Sequence, residues 1–178
     1  PSLVRRSFLA VCLGLLGSVA LPSMDVHSEG VPIDIPRLQA QLNQGSPQAV
    51  AELLAAEAER RPSSPHLQYD AGVAAYAARR WEDALVAFDR VETLGNARLA
   101  NLARFQRGNA EYQLGVESLS ANLDETISRW RAALEAYQAV LKNQPDETRS
   151  AQNAEFVRNR LLDLLLAEAR KSARQAQQ

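Results

Sequence analysis

The chain has 178 residues, of which 46% are hydrophobic and 23% are charged, and its formal net charge is −1. These values predict a soluble domain that is large enough to bury a core. No segment concentrates basic residues, and a near-neutral chain gains little from counterion release on a phosphate backbone. We therefore expect no nucleic-acid partner.

The first 22 residues form a separate segment. A basic pair precedes an apolar run over 8–21, and small residues at 18–20 offer a cleavage site. The run is shorter than the roughly 20 apolar residues that a transmembrane helix needs. We expect residues 1–22 to be a signal peptide and the mature protein to be periplasmic or envelope-associated. An uncleaved signal is the alternative, and it is the only membrane attachment that we expect.

The basic pair leaves two export routes open. Arg5-Arg6-Ser7-Phe8-Leu9 resembles the twin-arginine export signal, although the flanking residues Val4 and Ala10 depart from it. The alternative is an ordinary signal with two basic residues. Cys12 is the only cysteine and lies inside this segment. Cleavage would leave no disulfide, no thiolate metal site and no cysteine nucleophile.

Residues 23–36 have no helical period and contain proline, serine and glycine, so they predict a linker. A helical domain is expected over 37–178. Gly45 ends its short first helix, and Ser46-Pro47 predicts the N-cap and first turn of the next. We expect that helix to face inward through Val50, Leu53 and Leu54 and to close at Arg60-Arg61-Pro62.

The stretch 65–96 organises the rest of the chain, because its pattern predicts two helices joined by a tight turn. Gly72 lies in the middle of the first helix, where glycine costs about 1 kcal/mol relative to alanine. This cost predicts the close approach of another backbone, with Ala84 as the crossing partner. Phe88 follows Ala84 by one helical turn and should place its ring against the same seam.

This order of small, small and large residues resembles the tetratricopeptide repeat (TPR), which has a 34-residue period. The resemblance implies an all-α fold, an antiparallel helix-hairpin solenoid with about three repeats and a closing helix. Repeats would start at Val31 and Pro65, with Gly45 at the turn of the first and Trp81 opening the second helix of the next.

The following repeat would start near Asn101. Gly108, Tyr112 and a turn glycine, Gly115, then match the places of the previous repeat. Its second helix arrives late, because the residues that fit it (Trp130, Ala133, Tyr137 and Pro145) match only if 116–128 is a 13-residue insertion. A closing helix is expected from Thr148, with a polar, frayed tail over 170–174.

The C-terminal half is similar to a narrower group, the exported TPR proteins of the bacterial aerotolerance (Bat) system. The likeness lies in 105–112, in 130–137 and in a closing-helix pattern that here comprises Ala151, Asn153, Glu155, Val157 and Arg158.

No enzyme signature is present in the sequence. There is no phosphate-binding glycine loop and no nucleophile elbow, and the two histidines, His27 and His66, are far apart. The acidic pairs at 82–83, 124–125 and 146–147 fall at predicted helix starts, where carboxylates stabilise the helix dipole. Four repeat-equivalent aromatic residues are expected in the core: Trp81, Phe88, Trp130 and Tyr137. We therefore predict no catalytic residue, no cofactor and no metal.

The TPR resemblance implies a concave surface lined by the first helix of each repeat. Its residues would be His66, Tyr69, Asp70, Val73, Leu102, Phe105, Gln106, Asn109, Arg149, Gln152, Asn153 and Phe156. This mixture of aromatic and amide side chains suits an extended peptide, because amides bond its backbone while rings pack on its side chains. The alternative is that these residues coat a solvated groove or pack on the insertion. The carboxylate clamp of chaperone-binding relatives is not matched.

In the last helix, the leucines at 161–166 point to all sides of the helix. A helix that buries a single face needs fewer of them. We expect Leu162 and Leu166 to form an interface with a partner or a second copy. Three functions follow: an exported adaptor that binds a protein segment, a self-assembly module that pairs through the last helix, or an accessory subunit of a twin-arginine-exported enzyme.

Overall fold

The structure is a computed structural model that describes residues 46–177. This part of the chain contains α-helices and no strand. The helices are α1 (Pro47–Arg60), α2 (Pro65–Ala77), α3 (Trp81–Leu94), α4 (Ala97–Ser118), α5 (Leu123–Asn143) and α6 (Thr148–Gln175). The predicted signal (1–22), the linker (23–36) and the first predicted hairpin helix lie outside the described residues.

The helices form a solenoid of hairpins. Each described helix packs on its neighbours along the chain, and α2 also contacts α4 across the hairpin. Connections of a few residues join consecutive helices, so neighbours run antiparallel. The prediction of an all-α, antiparallel helix-hairpin solenoid is confirmed.

Side-chain caps fix where most helices begin. The cap oxygens of Ser46, Ser64, Asn96 and Asn122 each accept a hydrogen bond from the backbone N–H three residues later. Pro47 follows the cap residue Ser46 and occupies the first turn of α1, as the sequence predicts. The acidic pairs of α3 and α5 lie in the first turn of each helix.

A glycine and an aromatic ring lock the α2–α3 hairpin. A Cβ atom built on Gly72 would lie 2.5 Å from Cε1 of Phe88. The close neighbour is therefore this ring, and the expected close approach of a backbone at Gly72 is wrong. Phe88 and Ala84 are fully buried, and the Tyr69 ring packs on Phe88 with centroids 5.9 Å apart.

The α4–α5 hairpin repeats these contacts with different residues. Gly108 lies against Tyr137, where an added Cβ would approach the ring to 2.7 Å. Phe105 packs on Tyr137 with centroids 5.9 Å apart, as Tyr69 does on Phe88. Trp130 stacks on the ring of Tyr112. The four aromatic residues expected in the core, Trp81 and Phe88 with Trp130 and Tyr137, are all buried.

The expected insertion at 116–128 is mostly helix. Its first residues form the last turn of α4, its last residues form the first turns of α5, and only 119–122 connect them. Gly115 consequently lies inside α4 against the Trp130 ring, so its placement at a turn is wrong. The cap at Asn122 and the acidic pair after it restart the helix, and no proline interrupts either side.

One smaller expectation is also wrong. Leu53 is exposed, because the buried stripe of α1 passes through Val50 and Leu54 at helical spacing. Residues 170–174, expected to form a polar, frayed tail, are exposed and belong to α6, which continues to Gln175.

Candidate partner-binding groove

The residues predicted to line the groove lie on α2, α4 and α6, which alternate with the helices of the opposite layer. They differ in accessibility. His66, Asp70, Val73, Leu102 and Gln152 are exposed; Tyr69, Gln106, Arg149, Asn153 and Phe156 are half-buried; Phe105 and Asn109 are buried. The accessible members therefore come from all three helices.

Direct contacts join these helices into one surface, which we call the groove. A side-chain hydrogen bond links Tyr69 on α2 to Gln106 on α4. The Arg149 guanidinium of α6 lies 5.1 Å from the centre of the Phe105 ring. These contacts span α2 to α6, so the structure brings the predicted residues together.

A buried amide network forms the floor of the groove. Asn109 is 4% exposed. Its Oδ1 accepts hydrogen bonds from Tyr137 Oη at 2.7 Å and from Asn153 Nδ2 at 3.0 Å, and its Nδ2 donates to Gln106 Oε1 at 2.9 Å. Both ends of this amide are engaged inside the protein. Asn109 therefore orients Gln106 and Asn153 and does not itself face a ligand.

Phe105 also lies beneath the accessible surface. It is 6% exposed and is enclosed by the Tyr137 ring on one side and the Arg149 guanidinium on another. Phe156 packs edge-on against Tyr112 at 5.5 Å between centroids. Tyr69 on α2 is a half-buried aromatic residue of the groove, and it directly precedes the exposed Asp70.

Asp70 has an unusual electrostatic environment for an accessible carboxyl group. Desolvation by the surrounding protein raises its pKa, and the coulombic interaction with His66, one turn earlier, opposes that shift. The surrounding protein atoms do not cover the side chain, which stays exposed to water. Burial likewise raises the pKa of Tyr69, against the effects of Gln106 and Arg149.

Glu147, at the start of the same helix, fixes the position of the Arg149 side chain. Its Nε donates to Glu147 Oε1 at 2.8 Å. Glu147 is also the N-cap of α6 and accepts a hydrogen bond from the Ser150 backbone. Burial alone would raise the pKa of Glu147, but these hydrogen bonds and the charge of Arg149 lower it overall. The guanidinium is thereby positioned at the rim of the groove.

Sequence reasoning missed two contributors to this surface. It assigned Tyr137 to the core only, yet the Tyr137 hydroxyl organises the Asn109 network. The signal was present, because Tyr137 takes the place that Phe88 holds in the previous hairpin, and a buried hydroxyl needs a partner. Arg160, which lies 5.8 Å from the Trp130 ring and hydrogen-bonds Tyr112, extends the surface along α6.

The two leucines predicted at an interface lie away from the groove. Leu162 and Leu166 are 53% and 45% exposed, and Leu165 between them is 39% exposed. Leu161 and Leu164 are half-buried. The segment 116–128 therefore does not cover the exposed leucines.

Within residues 46–177, no group of three or more histidine, cysteine, aspartate or glutamate side chains is placed to hold a metal ion. None of the helices in that range combines the length and apolarity needed to span a bilayer. No protein-family model, curated protein or solved structure matches this chain. The resemblance to TPR and Bat-system proteins thus stays a prediction from the residues quoted above.

Proposed function

We propose that this protein is a non-enzymatic, exported adaptor that binds an extended segment of another protein in the groove, within the bacterial cell envelope. One observation carries the proposal: accessible side chains of α2, α4 and α6 form a contiguous surface above a floor fixed by the buried Asn109 network. A rigid floor lowers the conformational entropy lost on binding. Export rests on the predicted signal at 1–22.

The chemistry of the groove fits a peptide in extended conformation. Val73 and Leu102 are each 37% exposed and offer apolar contacts to alternate side chains. Gln106, Gln152 and Asn153 carry amides that can bond a peptide backbone, which presents both donors and acceptors. This combination of polar groups around an apolar centre is the usual composition of a protein–protein contact.

Two charged residues of the groove, on different helices, should orient the bound segment. Asp70 lies on α2, and Arg149 lies on α6, at the other side of α4. Desolvation makes an ionised Asp70 unfavourable in the free protein, so a cation that neutralises it gains more than it would on an open surface. We propose that the bound segment places a lysine or arginine near Asp70.

Site-specific photocrosslinking in cells tests the proposal. A photoreactive amino acid at Val73 or Gln152 should capture a distinct envelope protein, while the same probe at Val86 should not. Val86 is 54% exposed but lies on α3, outside the groove. Equal capture from Val86, or capture only of the protein itself, would contradict the adaptor function.

A second experiment uses matched variants against the captured protein. Replacing Val73 and Leu102 by aspartate should weaken binding at least tenfold, and Val86→Asp with Leu94→Asp should not, although both pairs start from exposed apolar residues. Asp70→Asn should weaken binding less than the apolar pair does and should remove part of its salt dependence. If the groove variants bind as tightly as the parent, this surface is not the binding site.

A further inference from the structure

α6 is the longest described helix, at 28 residues, and only its first half is packed. Its buried residues are Ser150, Ala154 and Val157, and it contacts α5. From 165 to 177 every residue but one is exposed to solvent. A long helix that projects from its support and still carries leucines needs an explanation, because it presents apolar area to water.

Comparison of α6 with α4 shows which face of α6 carries these leucines. Ala103 and Ala110 of α4 lie in one buried cluster with Phe88 and Val91 of the preceding helix, α3. The residues 47 positions later are Ser150 and Val157, which α6 buries next to its own preceding helix. The two helices are therefore equivalent in the solenoid.

The same offset maps Gly115 of α4 onto Leu162 of α6. Gly115 lies against Trp130 of the following helix, α5. Leu162 thus lies on the face that, in α4, the next helix covers. In the described part of the chain nothing covers that face of α6, and leucine in place of glycine leaves no recess for an aromatic ring from such a helix.

The uncovered face has two different halves, which together we call the α6 stripe. The first half carries the large residues Leu162, Leu165 and Leu166, and the second carries small ones, Ala169, Ser172 and Ala173. All are exposed, and helical spacing places them on one side. A stripe that is large at one end and small at the other is complementary to itself when turned end for end.

We infer that a second copy of this chain packs antiparallel on the α6 stripe, with a two-fold axis near residue 168. Each leucine half then meets the small-residue half of the other copy, so that large and small residues interdigitate. In this arrangement Asp163 lies level with residue 173 of the other copy, next to Arg174 in the last turn of that copy's α6, so that opposite charges flank the stripe at each end.

The size of the stripe fixes the expected strength of the dimer. Residues 162–173 span about 17 Å at 1.5 Å per residue, on a helix about 10 Å wide. This strip is well below the ~800 Å² per partner of a typical stable interface. The dimer should therefore be weak and reversible, and should coexist with partner binding on the opposite side of α6.

Sedimentation equilibrium of the full chain over a concentration series measures this association. The mass should rise from monomer to dimer with concentration, and Leu162→Glu with Leu166→Glu should abolish the rise while leaving helicity unchanged. The matched control, Val86→Glu with Leu94→Glu, adds the same charge at exposed apolar sites on α3 and should dimerise normally. A monomer at all concentrations, or loss of dimer in the control, would overturn the inference.

Cysteine crosslinking tests the antiparallel register independently. In a Cys12→Ser background, Ala169→Cys should form a disulfide with its own equivalent, because residue 169 lies next to the two-fold axis. Ala176→Cys should not, since the two 176 positions would be about 24 Å apart at 1.5 Å per residue. Crosslinking at 176, as a parallel pair requires, would refute the arrangement.

Discussion

Gly72 and Gly108 each make room for one aromatic ring of the following helix. An added Cβ at Gly72 would meet the Phe88 ring at 2.5 Å, and this ring is fully buried and cannot swing away. Gly72→Ala should therefore lower the free energy of unfolding by about 1–3 kcal/mol, even though alanine favours helix by up to about 1 kcal/mol. Urea denaturation followed by circular dichroism measures the change.

A double-mutant cycle identifies the cause of that loss. Phe88→Leu shortens the side chain that the new methyl group would meet, so the combination with Gly72→Ala should be less destabilising than the sum of the single changes. Additive losses would mean that the Phe88 ring is not what requires glycine at this position.

Asp70 should lower stability in a pH-dependent way. Its folded-state pKa is raised by desolvation, so the folded protein binds this proton more tightly than the unfolded chain. The penalty is absent below the unfolded pKa and complete above the folded one. Asp70→Asn should thus raise stability at pH 7 by less than about 0.5 kcal/mol, since water screens this accessible group, and should have no effect near pH 3.

Thermal unfolding at several pH values tests the sign of that effect. A variant that is less stable than the parent at pH 7, with the difference growing from acid to neutral pH, would show that the protein stabilises the ionised carboxylate.

The α4–α5 hairpin corresponds to the α2–α3 hairpin but is longer, because it has extra helical turns at the end where α4 connects to α5. Deleting 116–128 joins Gly115 to Arg129 and yields Leu-Gly-Arg-Trp where the first hairpin has Ala-Arg-Arg-Trp at 78–81. Arg79 in that turn has φ 62°, a left-handed conformation that glycine adopts at no steric cost. We expect the shortened protein to fold cooperatively, less stable by about 1–3 kcal/mol through lost packing.

Calorimetry and circular dichroism of the deletion variant measure this outcome. Adding Gly115→Val should cost a further ~1–2 kcal/mol, because a β-branched residue resists the left-handed conformation. A deletion variant that unfolds without cooperativity would show that 116–128 is part of the indispensable core, where Thr126 is fully buried.

Helix positions followed from local sequence signals, whereas the roles of groove residues did not. Ser46-Pro47 and Trp81 placed helix starts correctly, because capping and first-turn chemistry are local. Gly115 was misplaced, since a mid-helix glycine opposite Trp130 cannot be told from a turn glycine without the partner helix. For Asn109 and Phe105, spacing predicted a place in the groove but could not show that both are buried, in contact with Tyr137 and Arg149.

At the scale of the whole described chain, stability should vary from helix to helix, because each helix is supported mainly by its neighbours. α5 has a packed helix on either side, and Trp130 and Tyr137 are almost completely buried in it. α6 loses tertiary support beyond its first half, since all but one of residues 165–177 are exposed. Unsupported helical turns open more often than packed ones.

Hydrogen–deuterium exchange resolves this gradient and connects it to the α6 stripe. In dilute, monomeric protein, amides of 169–177 should exchange fastest among the described helices and those of 130–140 slowest. Raising the concentration through the dimerisation range should slow exchange over 162–173, because pairing supplies the missing support, and should leave 130–140 unchanged. Equal protection of 169–177 and 130–140 in the monomer would show that the end of α6 is packed within one copy. The α6 stripe would then be ordinary core.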